Sequence, residues 1–536
     1  MEFNATWRVI AVTGILYYLT IVFYRLFFHP LAHFPGPRLA AISRWYEAHY
    51  DVLLGGQYTA KIAELHKKYG RLSNNTMSSH QVFTVSTSLG PIIRISPYEL
   101  HVIDSAFYDS LYRMDGRWDK YSWTYGAFGA GNSTVFCSGI SILQARIPLL
   151  VLVLTSVLKI MTRRSAISPF FSKARITARQ DIIHRNVEKL CQRISKLTGS
   201  DFSLGAAVSA FTRDTANEFI VGRRYNEIDL EDFGIGLSLA SQGAGPFWRI
   251  TKHVRWFGPA MRALPVSWAM KVADEGTMAF LRFLQQSELD TRDTLAAAAC
   301  SVPEGKTQST MIHEIAYSDL PHTAKTFDRV FEEVATVTGA AYETAATTLR
   351  LIIYHVYSDD KIVQTLRKEL ESLFIDSSTS ITLRDLEQLP YLTAVLMEGL
   401  RLSPGIGTRA ARVTDKELAY ENWRIPAGTP VGVTTILMHT DEKVFRNPMQ
   451  FNPDRWMDRK IEETVKRRFA PFSRGTRMCL GMHLAWAEMY LLLSTLVQRF
   501  DFVFKDFTAT DFMFERDNFN IGTKAGCNLT ARSRPA

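Results

Sequence analysis

One stretch, Phe472-Ser-Arg-Gly-Thr-Arg-Met-Cys-Leu-Gly481, constrains this chain more than any other, because it sets a single cysteine, Cys479, in a frame of glycines and arginines. Gly475 and Gly481 allow backbone angles that a side chain would forbid, so the segment can fold back and aim successive N–H groups at one sulfur. Arg474 and Arg477 add positive charge, and the apolar run after Gly481 predicts a helix whose N-terminus lies beside Cys479. Both effects lower a thiol pKa, so the sulfur is expected as a thiolate, fit to bind a soft metal or to attack as a nucleophile. No Cys-x-x-Cys occurs anywhere in the 536 residues and His483 stands alone, which argues against tetrahedral zinc and iron–sulfur sites. A nucleophilic role would need a His base, and the sequence leaves that open.

A haem iron needs only one protein ligand. The pattern Phe472-x-x-Gly475-x-Arg477-x-Cys479-x-Gly481 resembles the haem-binding signature of the cytochrome P-450 family, with every defining position present. The resemblance implies a mainly α fold with small β-sheets, built as a single haem domain behind an N-terminal transmembrane anchor. It also implies haem b (iron protoporphyrin IX), with Cys479 as the axial iron ligand and Phe472, Gly475, Arg477 and Gly481 around it.

Phe327 to Tyr357 reads as one long, largely apolar helix, with Glu343-Thr344 near its middle. An acid and a hydroxyl are costly to bury there unless they do something. Thr344 can bond back to the carbonyl of Ala340 and loosen the helix locally. This resembles the oxygen-binding helix of the family, in which an acid–alcohol pair manages protons, and Ala341 stands where glycine is commoner. Glu398 and Arg401 are neighbours on one helix face, a weak signal alone. Together with Arg455 in Phe451-Asn-Pro-Asp-Arg-Trp456 they resemble the family's structural charge triad, better read as a lock than as net stabilisation. By the same resemblance Arg412 and Arg477 are the candidates to bind a haem carboxylate, a role that suits a guanidinium. Trp423 to Pro430 and Val431 to Met438 read as turn and strand beside the haem.

Val9 to Phe28 is apolar apart from threonines, a glycine and Arg25, and its 20 positions would give about 30 Å of helix, enough to cross a bilayer. Arg25, His29, Arg38 and Arg44 follow it whereas Arg8 alone precedes it, so the positive-inside bias puts the body of the chain in the cytosol. A retained signal anchor over 1–28 is expected, followed by a Pro-rich hinge over 29–45 around Phe34-Pro35-Gly36-Pro37 and the haem domain over 46–536. Asn4-Ala-Thr6 would then be a lumenal glycan acceptor. A net charge of +9 without a nucleic-acid motif favours an anionic membrane surface or an acidic protein partner. The five cysteines show no pairing pattern, as expected of a reducing compartment.

From Arg44 to Gly70 the pattern is helical with a stop at Gly70, and Gly90 to Pro97 reads as a strand leading into a turn. Two stretches depart from the family pattern. Residues 71–89 have little periodicity where the family runs almost directly from Tyr69-Gly70 to Gly90-Pro91. Residues 133–160 contain an apolar run, Ile147 to Leu154, too short to span a bilayer. The family would place there a Trp or His four residues before an arginine that meets a haem carboxylate, and counting back from Arg164 gives Ile160. Two readings stand side by side: genuine unusual loops, or translated non-coding sequence from a faulty gene model.

The resemblance implies a haem-thiolate monooxygenase in the endoplasmic reticulum membrane. Electrons would come from NADPH through NADPH–cytochrome P-450 reductase, with cytochrome b5 as a second donor and Lys466, Arg467, Arg468 and Arg474 as a docking face. Phe28-His-Pro-Leu31, Trp45-Tyr-Glu47 with Gly55-Gly-Gln-Tyr58, and Ala487-Glu-Met-Tyr490 are similar to the fungal branch that includes trichodiene oxygenase, which implies a terpenoid or related apolar substrate of secondary metabolism. A haem-thiolate isomerase or dehydratase, a non-catalytic haem-binding membrane protein, and a product inactivated by the atypical segments are the rival readings.

Overall fold

Helices supply most of the fold, and those that position the site are α1 (Glu2–Phe23), α2 (Leu204–Ile220), α3 (Ile235–His253), α4 (Glu275–Cys300), α5 (Phe327–Tyr357), α6 (Pro390–Leu402) and α7 (Met482–Arg499). The computed structural model describes residues 2–73, 91–131, 133–136, 161–258, 260, 268, 274–300, 309–373, 381–458 and 463–536. Most of the two stretches that depart from the family pattern, 74–89 and 137–160, therefore lies outside the described residues.

The central helix is α5, which packs against α2, α4, α6 and α7. Its apolar positions, among them Val330, Val334, Val337, Leu349, Ile352 and Val356, are buried and merge into one core with Phe211 and Phe219 of α2 and Leu492, Leu493 and Leu496 of α7. Two polar bonds set the rotation of α2 on α5: Thr212 Oγ1 donates to the carbonyl of Tyr342 at 2.8 Å, and the Tyr342 hydroxyl donates to Asn217 Oδ1 at 2.7 Å. On the other side α6 crosses α5 at Gly399, where an added Cβ would stand 2.1 Å from Cγ1 of buried Ile352. That close approach fixes the distance between the two helices.

The strands are short. β1 (Ile92–Arg94), β2 (Leu100–Val102), β3 (Asp119–Lys120), β4 (Arg412–Val413) and β5 (Val431–Gly432) form one sheet in the order β1-β2-β5-β4-β3, parallel only between β2 and β5. In it Lys120 lies directly across from Arg412. Thr530–Pro535 is the middle strand of a second sheet, between Asp201–Ser203 and Phe500–Phe504, and two hairpins complete the β structure. This is the expected mainly α fold with small sheets.

Three local expectations differ. The helix expected to stop at Gly70 spans Tyr58–Ser73. Between Arg44 and that helix the chain forms two short turns of helix, Trp45–Ala48 and His49–Leu53, rather than one run, and Gly55 and Gly56 interrupt it with positive φ. Val431 to Met438 is a strand only at its first two residues; Thr435–His439 is helical, carrying His439 into the core.

At the N-terminus, Thr6–Phe28 is a helix long and apolar enough to cross a membrane, with mean hydropathy 1.8 and none of its apolar window buried against the protein. The Pro-rich segment after it is docked. Pro35 accepts from the Arg94 N–H at 2.7 Å, a Cβ at Gly36 would stand 2.3 Å from the Arg94 carbonyl, and Phe34 stacks on Trp423 at 4.9 Å. Farther along, Arg409 joins Glu47 and Glu99, each at 2.7 Å, and Lys252 of α3 joins Glu47 at 2.9 Å, so buried charge ties residues 45–53 to the body.

Gly399→Val is expected to force α5 and α6 apart and to cost at least about 2 kcal/mol, measured as a shift in the urea midpoint; an unchanged midpoint would mean that Ile352 yields freely.

Candidate haem-thiolate site

The loop before Cys479 is shaped by one glycine. Gly475 has φ +76°, and a Cβ there would lie 2.4 Å from the carbonyl of Arg113, so only glycine fits at this angle and this approach. Thr476 N–H then donates to that carbonyl at 3.0 Å, and Cys479 N–H closes the loop on Phe472 O at 2.9 Å. Phe472 itself packs 6.2 Å from Trp486 of α7. Gly481 plays no such conformational part: its φ is −82°, and a Cβ there would meet no protein atom within 4 Å, so it keeps space open beside the sulfur.

The N–H groups of Gly481 and Met482, at the start of α7, do reach the sulfur as the sequence implied. Burial nevertheless wins and pushes the thiol above its ordinary value, against those N–H groups, Arg164 and Lys120. The cations beside it are Arg164 and Lys120 rather than Arg474, which turns outward to Asp109 at 2.7 Å. Arg477 lies with Arg412 and Arg164 around Lys120, and Arg477 Nη2 donates to the carbonyl of Thr134 at 3.2 Å.

A porphyrin fits these residues. Cys479 keeps accessible surface although it is surrounded by protein, with Arg164 and Lys120 beside it and Arg412 and Arg477 around Lys120. Arg412 is 3% exposed, donates to the carbonyl of Ala410 at 2.9 Å and lies over the Tyr112 ring. Among the described residues no carboxylate pairs with Arg412, Arg164 or Lys120, a surplus of charge that suits the carboxylates of haem. A cavity of about 220 Å³ opens among Gly116, Trp118, Met161, Arg164, Thr476 and Arg477.

On α5, Gly339 and Ala340 are exposed in the middle of a largely buried helix, so the stretch beside Thr344 is left uncovered by protein. Thr344 Oγ1 donates to Ala340 O at 2.9 Å, the back-bond its position suggests. Gly405, at φ +76°, brings a loop against it: a Cβ there would stand 3.6 Å from Thr344 Cβ. Glu343 faces a different environment. It accepts from Arg350 of α5 at 2.9 Å and from Ser238 of α3 at 2.7 Å, with Arg213 of α2 at 3.5 Å. Burial raises its pKa, but Arg350 and Arg213 outweigh it and leave the carboxyl below the usual range. Arg213 and Ser238, which close this network, carry no motif that the sequence could advertise.

Glu398, Arg401 and Arg455 meet in the structure. Arg401 binds both Glu398 oxygens at 2.8 and 2.9 Å, and Arg455 Nε binds Glu398 Oε1 at 2.9 Å. Trp456 Nε1 and the Asn452 N–H also donate to the same carboxylate, each at 2.9 Å. His439 joins this cluster to the cysteine loop. Its Nδ1–H donates to Arg401 O at 3.0 Å while its Nε2 accepts from Ala470 N–H at 3.0 Å, a neutral imidazole whose pKa burial pushes down to about 3.

Glu398→Gln removes the charge that balances two guanidinium groups, and unfolding free energy is expected to fall by about 3 to 5 kcal/mol; a urea midpoint within error of wild type would show that the two arginines are balanced elsewhere.

A cytochrome P450 family model matches residues 151–526. The chain is 34% identical over 495 residues to cytochrome P450 monooxygenase tpcC of Cochliobolus heterostrophus, covering 90% of this chain and 86% of that protein. It is 32% identical over 530 residues to N-acetyltryptophan 6-hydroxylase ivoC of Emericella nidulans, covering 97% and 95%, and 30% identical over 508 residues to cytochrome P450 monooxygenase TRI4 of Fusarium sporotrichioides, covering 94% and 90%. The crystal structure of the cytochrome P450DA heme domain shares the fold, with a TM-score of 0.65 at 15% identity over 94% of this chain and 96% of that one. Motif, fold and relatives agree that this chain belongs to the cytochrome P450 family, haem-binding monooxygenases that draw electrons from NAD(P)H through a redox partner.

Proposed function

We propose that this monooxygenase is held in the endoplasmic reticulum membrane by residues 1–28, with Asn4 on the lumenal side, and oxidises a terpenoid scaffold in fungal secondary metabolism. Residues 29–45 would connect the anchor to a haem domain over 46–536. Haem supplies the activation of dioxygen that side chains cannot. Cys479 would hold it, Arg412 and Arg477 would bind its carboxylates, Phe472 and Gly475 would shape the cysteine loop, and Gly481 would leave room beside the sulfur.

Two separate observations support this reading: the closed Cys479 loop, and the exposed hydroxyl of Thr344 on α5. That hydroxyl donates to the Ala340 carbonyl at 2.9 Å and, being exposed, would turn from it to a proton acceptor. Glu343 would serve the same proton path by holding α5 against α2 and α3, since its oxygens are taken by Arg350, Ser238 and Arg213. The basic run Lys466, Arg467 and Arg468, together with Arg474, would receive an acidic flavoprotein, NADPH–cytochrome P-450 reductase, with cytochrome b5 as a second donor.

An apolar substrate is supported by an aromatic cluster. Phe128 stacks on Phe136 at 4.3 Å and meets Phe519 edge-on at 4.7 Å, with Trp248 of α3 5.6 Å from Phe519. The Phe519 carbonyl accepts from Gly407 and Thr408, in the loop whose Gly405 adjoins Thr344. The same aromatic cluster suits a second reading, an indole ring, since relatives named as N-acetyltryptophan and tryptophan 6-hydroxylases stand beside TRI4 in similarity.

Microsomes holding the protein and a reductase, fed NADPH and oxygen-18 gas with either a sesquiterpene or N-acetyltryptophan, are expected to give a terpene product heavier by one labelled oxygen; a labelled indole product alone would overturn the terpenoid reading. Thr344→Ala is expected to keep the reduced carbon monoxide band while product per NADPH falls by about tenfold or more, the balance appearing as peroxide. Unchanged coupling would remove Thr344 from the proton path.

A further inference from the structure

The tip of one hairpin is strained. Arg516–Asn518 and Asn520–Gly522 pair with Asn518 opposite Asn520, so a single residue, Phe519, makes the turn, and it does so at φ +71°. That is the left-handed region, which a bulky side chain enters only where its surroundings hold it. Phe519 is also the hub of the aromatic cluster. Its ring centre lies 4.7 Å from that of Phe128, 5.6 Å from Trp248, 5.7 Å from Tyr125 and 6.1 Å from Phe136, and Phe519, Phe128 and Phe136 all keep part of their surface accessible.

The hold comes from Asp517, two residues earlier and buried. Its Oδ1 accepts from the Phe519 N–H at 2.9 Å, a side chain closing a turn on its own backbone, and its Oδ2 accepts from Thr59 Oγ1 at 3.1 Å. Backbone contacts seat Asp517 in turn. Its N–H donates to Gly56 O at 2.8 Å, and Arg249 of α3 donates to its carbonyl at 3.1 Å and to Asn518 Oδ1. Gly56, at φ +94°, comes so close that a Cβ there would stand 2.7 Å from the Asp517 carbonyl. Burial raises the Asp517 carboxyl and Lys252 opposes it, but neither side-chain contact needs a charge, because a carboxyl group meets an N–H and a hydroxyl in either protonation state. Beyond the tip, the Phe519 carbonyl accepts from Gly407 at 2.9 Å and the Ile521 N–H donates to Gly405 O at 3.0 Å, so the hairpin is docked on the loop that adjoins Thr344.

We propose that Asp517 is a positioning residue for substrate selection: through Thr59 on one oxygen and the Phe519 N–H on the other, it holds Phe519 in its left-handed conformation and so fixes the aromatic cluster against which a bulky apolar ligand packs. The assignment rests on the reading of that cluster as part of the substrate site. It explains why a buried carboxyl group is spent on the tip of a short hairpin: without it the backbone of Phe519 would relax to negative φ and carry the ring away from Phe128 and Trp248.

Purified haem-loaded full-length protein tests this, titrated with imidazole and with an imidazole carrying a biphenyl group and followed by the optical shift of a nitrogen ligand on iron. Asp517→Ala is expected to keep the wild-type affinity for imidazole and to bind the biphenyl compound about tenfold more weakly. Asp517→Asn, which keeps an acceptor oxygen for the Phe519 N–H, is expected to restore most of that affinity. In a Phe519→Ala background, itself weakened toward the biphenyl compound, Asp517→Ala is expected to add nothing. Thr59→Val, an isosteric change that serves where Asp517→Ala does not fold, is expected to weaken the biphenyl compound about threefold, and only while Phe519 is present. Wild-type affinity for the biphenyl compound in these variants overturns the proposal, as does a weakening that extends to imidazole or that adds to Phe519→Ala, either of which would mark Asp517 as a general packing residue. Phe519→Ala with unchanged biphenyl affinity would overturn the reading of the aromatic cluster, and a wild-type protein that shows no shift with either compound would overturn the haem-thiolate reading, each taking the proposal with it.

Discussion

The structure depends on keeping one sulfur and a group of cations together in the interior. Burial raises the Cys479 thiol, and it is countered by two N–H groups at the start of α7 and by Arg164 and Lys120. A bound metal would take the place of the proton that burial favours. The loop cannot relax away from that position. Gly475 is wedged against the Tyr112–Arg113 backbone, so any larger residue there would move the sulfur.

Behind the loop, rigidity comes from a continuous run of hydrogen bonds. Glu398 binds Arg401, Arg455, Trp456 and the Asn452 backbone, Arg401 and His439 bond each other's carbonyls, and His439 accepts from Ala470 two residues before Phe472. A buried charge set of this kind contributes specificity of position rather than large net stability. Only a neutral His439 can donate through Nδ1 and accept through Nε2 at once, and burial keeps it neutral.

The opposite wall is organised differently. There α5 leaves Gly339 and Ala340 exposed beside the Thr344 hydroxyl, while its Glu343 and Arg350 are buried. Glu343, Arg350, Arg213 and Ser238 bind α2, α3 and α5 to one another, with Arg350 also donating to Ser209 of α2 at 2.6 Å. These ionic groups therefore fix the helices to one another rather than line the exposed stretch of α5.

Much of this was legible in the chain itself. The Cys479 motif, the long helix around Thr344, the order of Glu398, Arg401 and Arg455, and the apolar N-terminal helix follow from local spacing, because each depends on residues a few positions apart or on a periodic pattern. What the linear order could not decide was which distant charges meet. Arg474 looked like the neighbour of the sulfur and instead pairs with Asp109, whereas Arg164 and Lys120, some 315 and 359 positions upstream of Cys479, reach it. Likewise Glu343 sits next to Thr344 in sequence yet serves a different surface, because adjacent residues on a helix point about 100° apart. The sequence determined the chemistry that is available; the tertiary fold decided which of its charges are balanced by protein and which are left for a cofactor, since that depends on distances through space and on burial.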